Sequence, residues 1–250
     1  MIFDHDSDYK MNKLFRFTAF LPVLISVIAI NSCSQNTARE DSPRKSSFNV
    51  KSLAKSDIDG VLDIYVREVR TYLRELMVKL YKRNPRELQK SGYAEIEKNV
   101  ARVFDQTHNW KFEELNRLKS VDAVYLAFDE DFQGDRVFAF IVGLTSMVMM
   151  SYGNKADFYI LDSLDPQKLY NSARNIEIAV WKLEHNRKAN GELFIYSNSL
   201  PGETPNLSYE RLFGKLIAVQ DTIAIILEDK TNRTIKKVIQ QMATAVFLPI

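Results

Sequence analysis

Disulfide chemistry is closed to this chain, because its 250 residues include one cysteine, Cys33. A lone thiol also cannot supply the paired cysteines of a structural zinc site. Histidine is nearly as scarce, and His5, His108 and His185 stand too far apart for a paired-histidine metal motif. Glycine and proline are few, at 8 and 7 residues, so turn-formers are sparse and no glycine-rich phosphate loop or serine nucleophile elbow can be read. The formal charge of +2 is small, and basic residues alternate with acids along the chain, which removes the electrostatic case for nucleic acid. No segment calls for a cofactor, and no arrangement of residues marks a catalytic centre.

What stands out is the stretch Met11 to Cys33, MNKLFRFTAFLPVLISVIAINSC. Lys13 and Arg16 make a basic start, Phe17 to Ile30 is apolar but for Thr18, Pro22 and Ser26, and a small residue, Ser32, precedes the cysteine. The run falls below the roughly 20 apolar residues of a spanning helix and has the layout of a secretory signal. Its end resembles the lipobox of bacterial lipoproteins. That resemblance implies a diacylglyceryl group on the Cys33 sulfur, cleavage before Cys33, and acylation (palmitate) of the new terminus. Ser34 after the cysteine, where aspartate favours retention in the inner membrane, implies the periplasmic face of the outer membrane in a Gram-negative cell.

Residues 1–10 place Asp4, Asp6 and Asp8 ahead of a signal that wants a positive start, so Met11 is expected to be the true start and residues 1–10 a mis-assigned leader. The signal peptide then occupies 11–32. Residues 33–52, rich in serine and poor in apolar side chains, read as a flexible tether, and 53–250 as one helical domain.

Within that domain the hydrophobic period is helical. A helix is expected from an N-cap at Ser56 to Arg83, with Ile58, Val61 or Leu62, Tyr65, Val69, Tyr72, Leu76 and Leu80 inward. Arg67, Arg70 and Arg74 fall on its other face, read as a solvated surface with contact to anionic headgroups as the alternative. Asn84-Pro85-Arg86-Glu87 has the order of a capping box. Helices follow over about 93–106 and 121–128, separated by a polar and aromatic interruption at Thr107 to Trp110, read as a helix-cap loop with a shielded tryptophan. His108 beside Trp110, Glu113 and Glu114 could form a metal or acid/base cluster, but no second histidine lies at ligand spacing, so a helix-cap loop is expected. Asp129, Glu130, Asp131 and Asp135 crowd around Gly134, but the alternating ligands of a calcium loop are missing, and a solvated turn is expected.

Val137 to Tyr152 is apolar on all sides and reads as the central buried helix, with Ala139 and Gly143 forming a notch for a neighbour. Asp165-Pro166 opens a helix expected to run to Gly191, with Leu169, Ala173, Ile176, Val180 and Leu183 inward. Leu193 to Tyr196 reads as a short strand or hairpin near 192–197. A helix capped by Asn206 or Ser208 runs to about Glu228, and a last helix is expected where Ile235, Ile239, Met242 and Val246 recur. The apolar end, Ala245 to Ile250, should dock on the core. The fold class is therefore all-α, a single-domain multi-helix bundle.

The polar residues that remain are Asn171, Arg174, Asn175 and Glu177 on one helix and Gln220 and Asp221 on another. They read either as an interhelical hydrogen-bond network closed within the fold or as the wall of a polar cleft. LDPQKLYNSARN, ERLFGKLIAVQD and AVFLPI also resemble segments of uncharacterised proteobacterial lipoproteins, a resemblance that carries no activity. Two function classes follow: a membrane-anchored, non-enzymatic binding or scaffolding module with an envelope protein partner, or a carrier or enzyme for a lipid or cell-wall fragment with its cleft around Arg174.

Overall fold

A computed structural model describes residues 57–250 apart from 94, 160–162, 199, 201 and 205. The leader, the signal sequence with Cys33, the tether and the Ser56 cap lie outside the described residues. Among those described there are seven α-helices and no strand, an all-α bundle. In chain order they are α1 (Asp57–Arg83), α2 (Pro85–Lys90), α3 (Ile96–Phe104), α4 (Ser120–Ala127), α5 (Arg136–Ser151), α6 (Pro166–His185) and α7 (Ser208–Thr231).

Every residue of α5 from Arg136 to Met149 is buried. An all-apolar helix can only be stable with neighbours on every side, and α5 is packed by α1, α2, α4 and α6. The tightest approach is to α4. A methyl built on Gly143 would lie 2.6 Å from the Val124 nitrogen and 2.9 Å from the Ser120 oxygen, so only glycine lets the two backbones meet there. The Ser146 hydroxyl donates to the Val142 carbonyl at 2.6 Å and accepts the Ser120 N–H at 2.7 Å, tying α4 to α5 where Ser120 takes a left-handed φ of 55°.

The long α1 buries Leu62, Val66, Val69, Leu73, Leu76 and Leu80. This seam is turned slightly from the expected stripe: Val61 is exposed, and Tyr65 and Tyr72 lie at its edge, half-buried. Val66, Leu73 and Met77 fill the centre instead. Asp57 and Asp59 in the first turn and Lys82 and Arg83 in the last complement the helix dipole.

The polar end of α1 is built differently from a capping box. The Asn84 side chain makes no cap bond. Its amide donates to the Leu80 and Tyr196 carbonyls at 2.8 and 2.7 Å, and its oxygen accepts the Tyr196 N–H at 2.8 Å. Glu87 pairs with Lys90 of its own helix through one oxygen and with the other accepts the Arg136 N–H at 2.8 Å. Both side chains satisfy backbone from distant parts of the chain, a demand that outranks local capping because buried amides need partners.

The start of α5 gathers the acids that the sequence places in one turn. Asp135 is buried, caps the helix by accepting the Phe138 N–H at 2.9 Å, and accepts the Tyr81 hydroxyl at 2.7 Å. Arg136 turns back and donates to the carbonyls of Ala127, Asp129 and Phe132 at 3.0, 2.5 and 2.5 Å, which closes the turn around a cation of the protein itself. Asp129 accepts the Asp131 N–H. Among the described residues no group of three or more histidines, cysteines or acids is placed to hold a metal ion.

Three expectations about the C-terminal half are corrected. Helix α6 ends at His185, six residues before Gly191, with Asn186 extended beyond it. Arg187 and Leu193 then meet in a single antiparallel bridge and no strand forms. The chain after Asn232, which ends α7 at φ 53°, is not a helix. It runs irregularly to Ile250 with one 3-10 turn at Met242–Thr244, and Ile239 is fully exposed. Phe247 and Ile250 do pack on the core.

Burial first, and then the Glu87 charge, push the Asp135 carboxyl up to about 7; the N–H groups of Phe138 and Val137 and the Tyr81 hydroxyl pull the other way. Between about pH 4 and pH 7 the folded chain therefore holds a proton that the unfolded chain has lost, so this group's contribution to stability falls as pH rises through that window. Asp135→Asn keeps an acceptor for the Phe138 N–H and cannot ionise. Urea unfolding at pH 5 and pH 8 is expected to show the wild type losing on the order of 2 kcal/mol more than the variant over that interval; equal slopes would contradict the assignment.

Candidate functional site

Helix α6 carries amide side chains at four-residue spacing, Gln167, Asn171 and Asn175, which the helical period stacks on one face. Each binds the backbone of the terminal segment. Gln167 accepts the Lys236 N–H at 2.7 Å and donates to its carbonyl at 3.1 Å. Asn175 does the same for Leu248 at 2.6 and 2.8 Å, and Asn171 donates to the Pro249 carbonyl at 2.8 Å. Tyr170 adds a hydroxyl that accepts the Val238 N–H at 3.1 Å. The row of side chains stands in for the neighbouring strand that an irregular backbone otherwise lacks. Residues 236–249 thus form a strap along α6, and Asn171 and Asn175 serve it.

Arg174 and Glu177 lie on another face of α6, where α7 brings Asp221. Arg174 bonds Asp221 at 2.7 Å and Glu177 at 3.0 Å, all three half-buried. Burial raises the carboxyls of both Glu177 and Asp221 despite the guanidinium beside them. The Arg174 Nε is buried with no acceptor, and the group borders a cavity of about 220 Å³ closed on its other side by Val238, Ile239, Gln240 and Met242 of the strap. Gln220 is remote from this trio in function. It is fully buried, accepts the Tyr152 hydroxyl and donates to Ser172 at 2.9 Å, which joins α5, α6 and α7. The six polar residues therefore divide into two strap anchors, one surface ion-pair trio and one core bridge.

A larger cavity, of about 490 Å³, lies elsewhere, between α1, the 106–111 loop and the end of α5. Arg70, Lys111 and Lys119 border it together with Trp110, Val103 and Met149. His108 shapes its wall: Nε2 meets the Val103 carbonyl at 2.9 Å, Nδ1 accepts the Trp110 N–H at 3.2 Å, and the two rings meet edge-on at 4.4 Å. Both ring nitrogens are thus occupied within the fold. Sequence patterning singles out Arg67, Arg70 and Arg74 on one helical face; Lys111 and Lys119 join them only through a loop whose path has no periodic signal.

Comparison of the chain with known protein families, with curated proteins and with solved structures finds no match.

Asn175→Ala removes both bonds to Leu248. The expected outcome is loss of hydrogen-exchange protection at the Leu248 amide and a drop of about 1–3 kcal/mol in the opening free energy of the strap, with α5 amides unchanged. Undiminished protection at Leu248 would show that the amide row does not hold the strap.

Proposed function

We propose that this chain is a bacterial lipoprotein, anchored through acylated Cys33 to the periplasmic face of the outer membrane, and that its helical domain is a non-enzymatic binding or scaffolding module of the cell envelope. The observation that carries this reading is the Met11 to Cys33 sequence, a basic start, a short apolar run and a small residue before the only cysteine. Each buried methylene of an acyl chain contributes about 0.8 kcal/mol, so two or three chains anchor stably where one does not. The strap's use of Asn171 and Asn175 supports the module reading, since these amides are engaged in holding the fold together. Among the described residues no helix is long and apolar enough to cross a membrane.

A second reading, a carrier or enzyme for a lipid or cell-wall fragment, is favoured by one feature, the buried and unpartnered Nε of Arg174 beside its cavity.

In-cell crosslinking and purification of the full chain, with Cys33→Ala as the form that cannot be acylated, separates the two. A stoichiometric envelope protein recovered with the acylated form and lost with Cys33→Ala is the expected outcome. Recovery of lipid or a small molecule alone contradicts the module reading, and Arg174→Gln then abolishes that recovery if the cleft is the carrier's site.

A further inference from the structure

The cavity beside Trp110 is lined by charge of one sign. Arg70, Lys111 and Lys119 border it, and no acid does. A second cavity of about 320 Å³ adjoins it, sharing Arg70 and Ala156 and adding Arg67, Arg74, Thr71 and one acid, Asp105. Five cations thus line two cavities that meet at Arg70, against one carboxylate, in a chain whose formal charge is +2. Asp105 is already paired with Arg74. Arg67, Lys111 and Lys119 have no acidic partner among the described residues.

The groove is shaped as well as charged. The Arg70 guanidinium is fixed by donating to the Phe104 carbonyl at 2.6 Å, which leaves its remaining donors directed by a held side chain instead of a freely rotating one. The floor is apolar, made by Val103, Met149 and the half-buried Trp110. Trp110 holds a left-handed φ of 59° and Asn154 across the cavity the same value. A bulky aromatic rarely adopts this backbone, and here the His108 ring accepts the Trp110 N–H and packs edge-on against its indole. A volume of about 490 Å³ falls within the range of small-molecule sites.

We infer that this groove binds a phosphate-bearing anion, its charge met by Arg70, Lys111 and Lys119 and its apolar part seated on Trp110 and Met149. Multiply charged oxyanions are the ligands that several converging cations favour, because charge-assisted hydrogen bonds from guanidinium and ammonium are about twice as strong as neutral ones. Neighbouring like charges repel one another in the empty groove, and an anion relieves that repulsion. The same chemistry is offered by a free phosphorylated metabolite and by the headgroup of an anionic phospholipid. The inference stands on the groove alone and does not require the anchor at Cys33.

The test uses the full-length protein with Trp181→Phe, which leaves Trp110 as the reporter because the chain has 2 tryptophans. Its fluorescence is titrated with inorganic pyrophosphate, with short-chain phosphatidylglycerol below its micelle concentration and with short-chain phosphatidylcholine. Saturable binding of pyrophosphate or phosphatidylglycerol is expected, weakened at least tenfold by Arg70→Gln with Lys119→Gln and also weakened by rising salt, with Lys230→Gln, which removes one charge away from the groove, as an unaffected control to set beside the single Lys111→Gln variant. Pyrophosphate binding assigns a free phosphate ligand, and phosphatidylglycerol binding alone assigns a headgroup. Should the double variant lose its helical circular dichroism, Lys111→Gln, which removes an exposed and unpaired ammonium, is read in its place. No binding of either anion, equal binding of phosphatidylcholine, or equal weakening by Lys230→Gln overturns the inference.

Discussion

A helix buried on every side sets the terms for the rest of this fold. Water is kept from the free N–H groups at the buried start of α5, and each unmet group there would cost about 1–3 kcal/mol. The chain meets them with residues brought from elsewhere. Glu87 takes the Arg136 N–H and Asp135 takes that of Phe138. At the far end, left-handed Gly153 and Asn154 fold the chain back so that their N–H groups reach Met150 and Met149 at 2.9 and 2.7 Å. The same demand recurs at the bundle's edges, where Asn84 serves Tyr196 and the α6 amides serve the strap. Polar side chains in this domain are largely structural for that reason.

How far the sequence discloses this depends on whether the deciding partner is near in the chain. Helix α6 begins where capping places it, at Asp165 and Pro166, and α1 and α5 follow the hydrophobic period, because local propensity and burial agree there. Val137 to Tyr152 is legible as a central helix since no polar face is offered to water. The terminal segment is the opposite case. Ile235, Ile239, Met242 and Val246 carry a helical period, yet the backbone is taken up by Gln167 and Asn175, which lie about 70 residues earlier. Asn84 and Glu87 show the same competition, with a good local capping pattern given up for tertiary bonds. Of the six polar residues singled out from the sequence, Arg174, Glu177 and Asp221 come together; Gln220 stays in the core beside Tyr152. Lys111 and Lys119 reach the groove only through the loop around Trp110, whose left-handed turn no propensity foretells.

Two surfaces of opposite charge emerge from this packing. The α6 and α7 side presents Glu177, Glu184 and Glu210 around an apolar furrow lined by Val180, Trp181, Phe213 and Ile217. The α1 side gathers Arg67, Arg70, Arg74, Lys111 and Lys119. Alternation of charge along the sequence conceals this separation, because the grouping is made by folding. Small net charge therefore coexists with a strong local field, which is the quantity that selects ligands.

The central claim, anchorage through Cys33, is tested most directly by the intact mass of the protein extracted from membranes of its own cell, followed by sequencing of its N-terminal peptide. The account predicts a blocked N-terminus at Cys33, residues 1–32 absent, and a mass increment equal to a diacylglyceryl thioether plus one amide-linked acyl chain. A free Cys33 thiol, or residues 11–32 still attached, would contradict it.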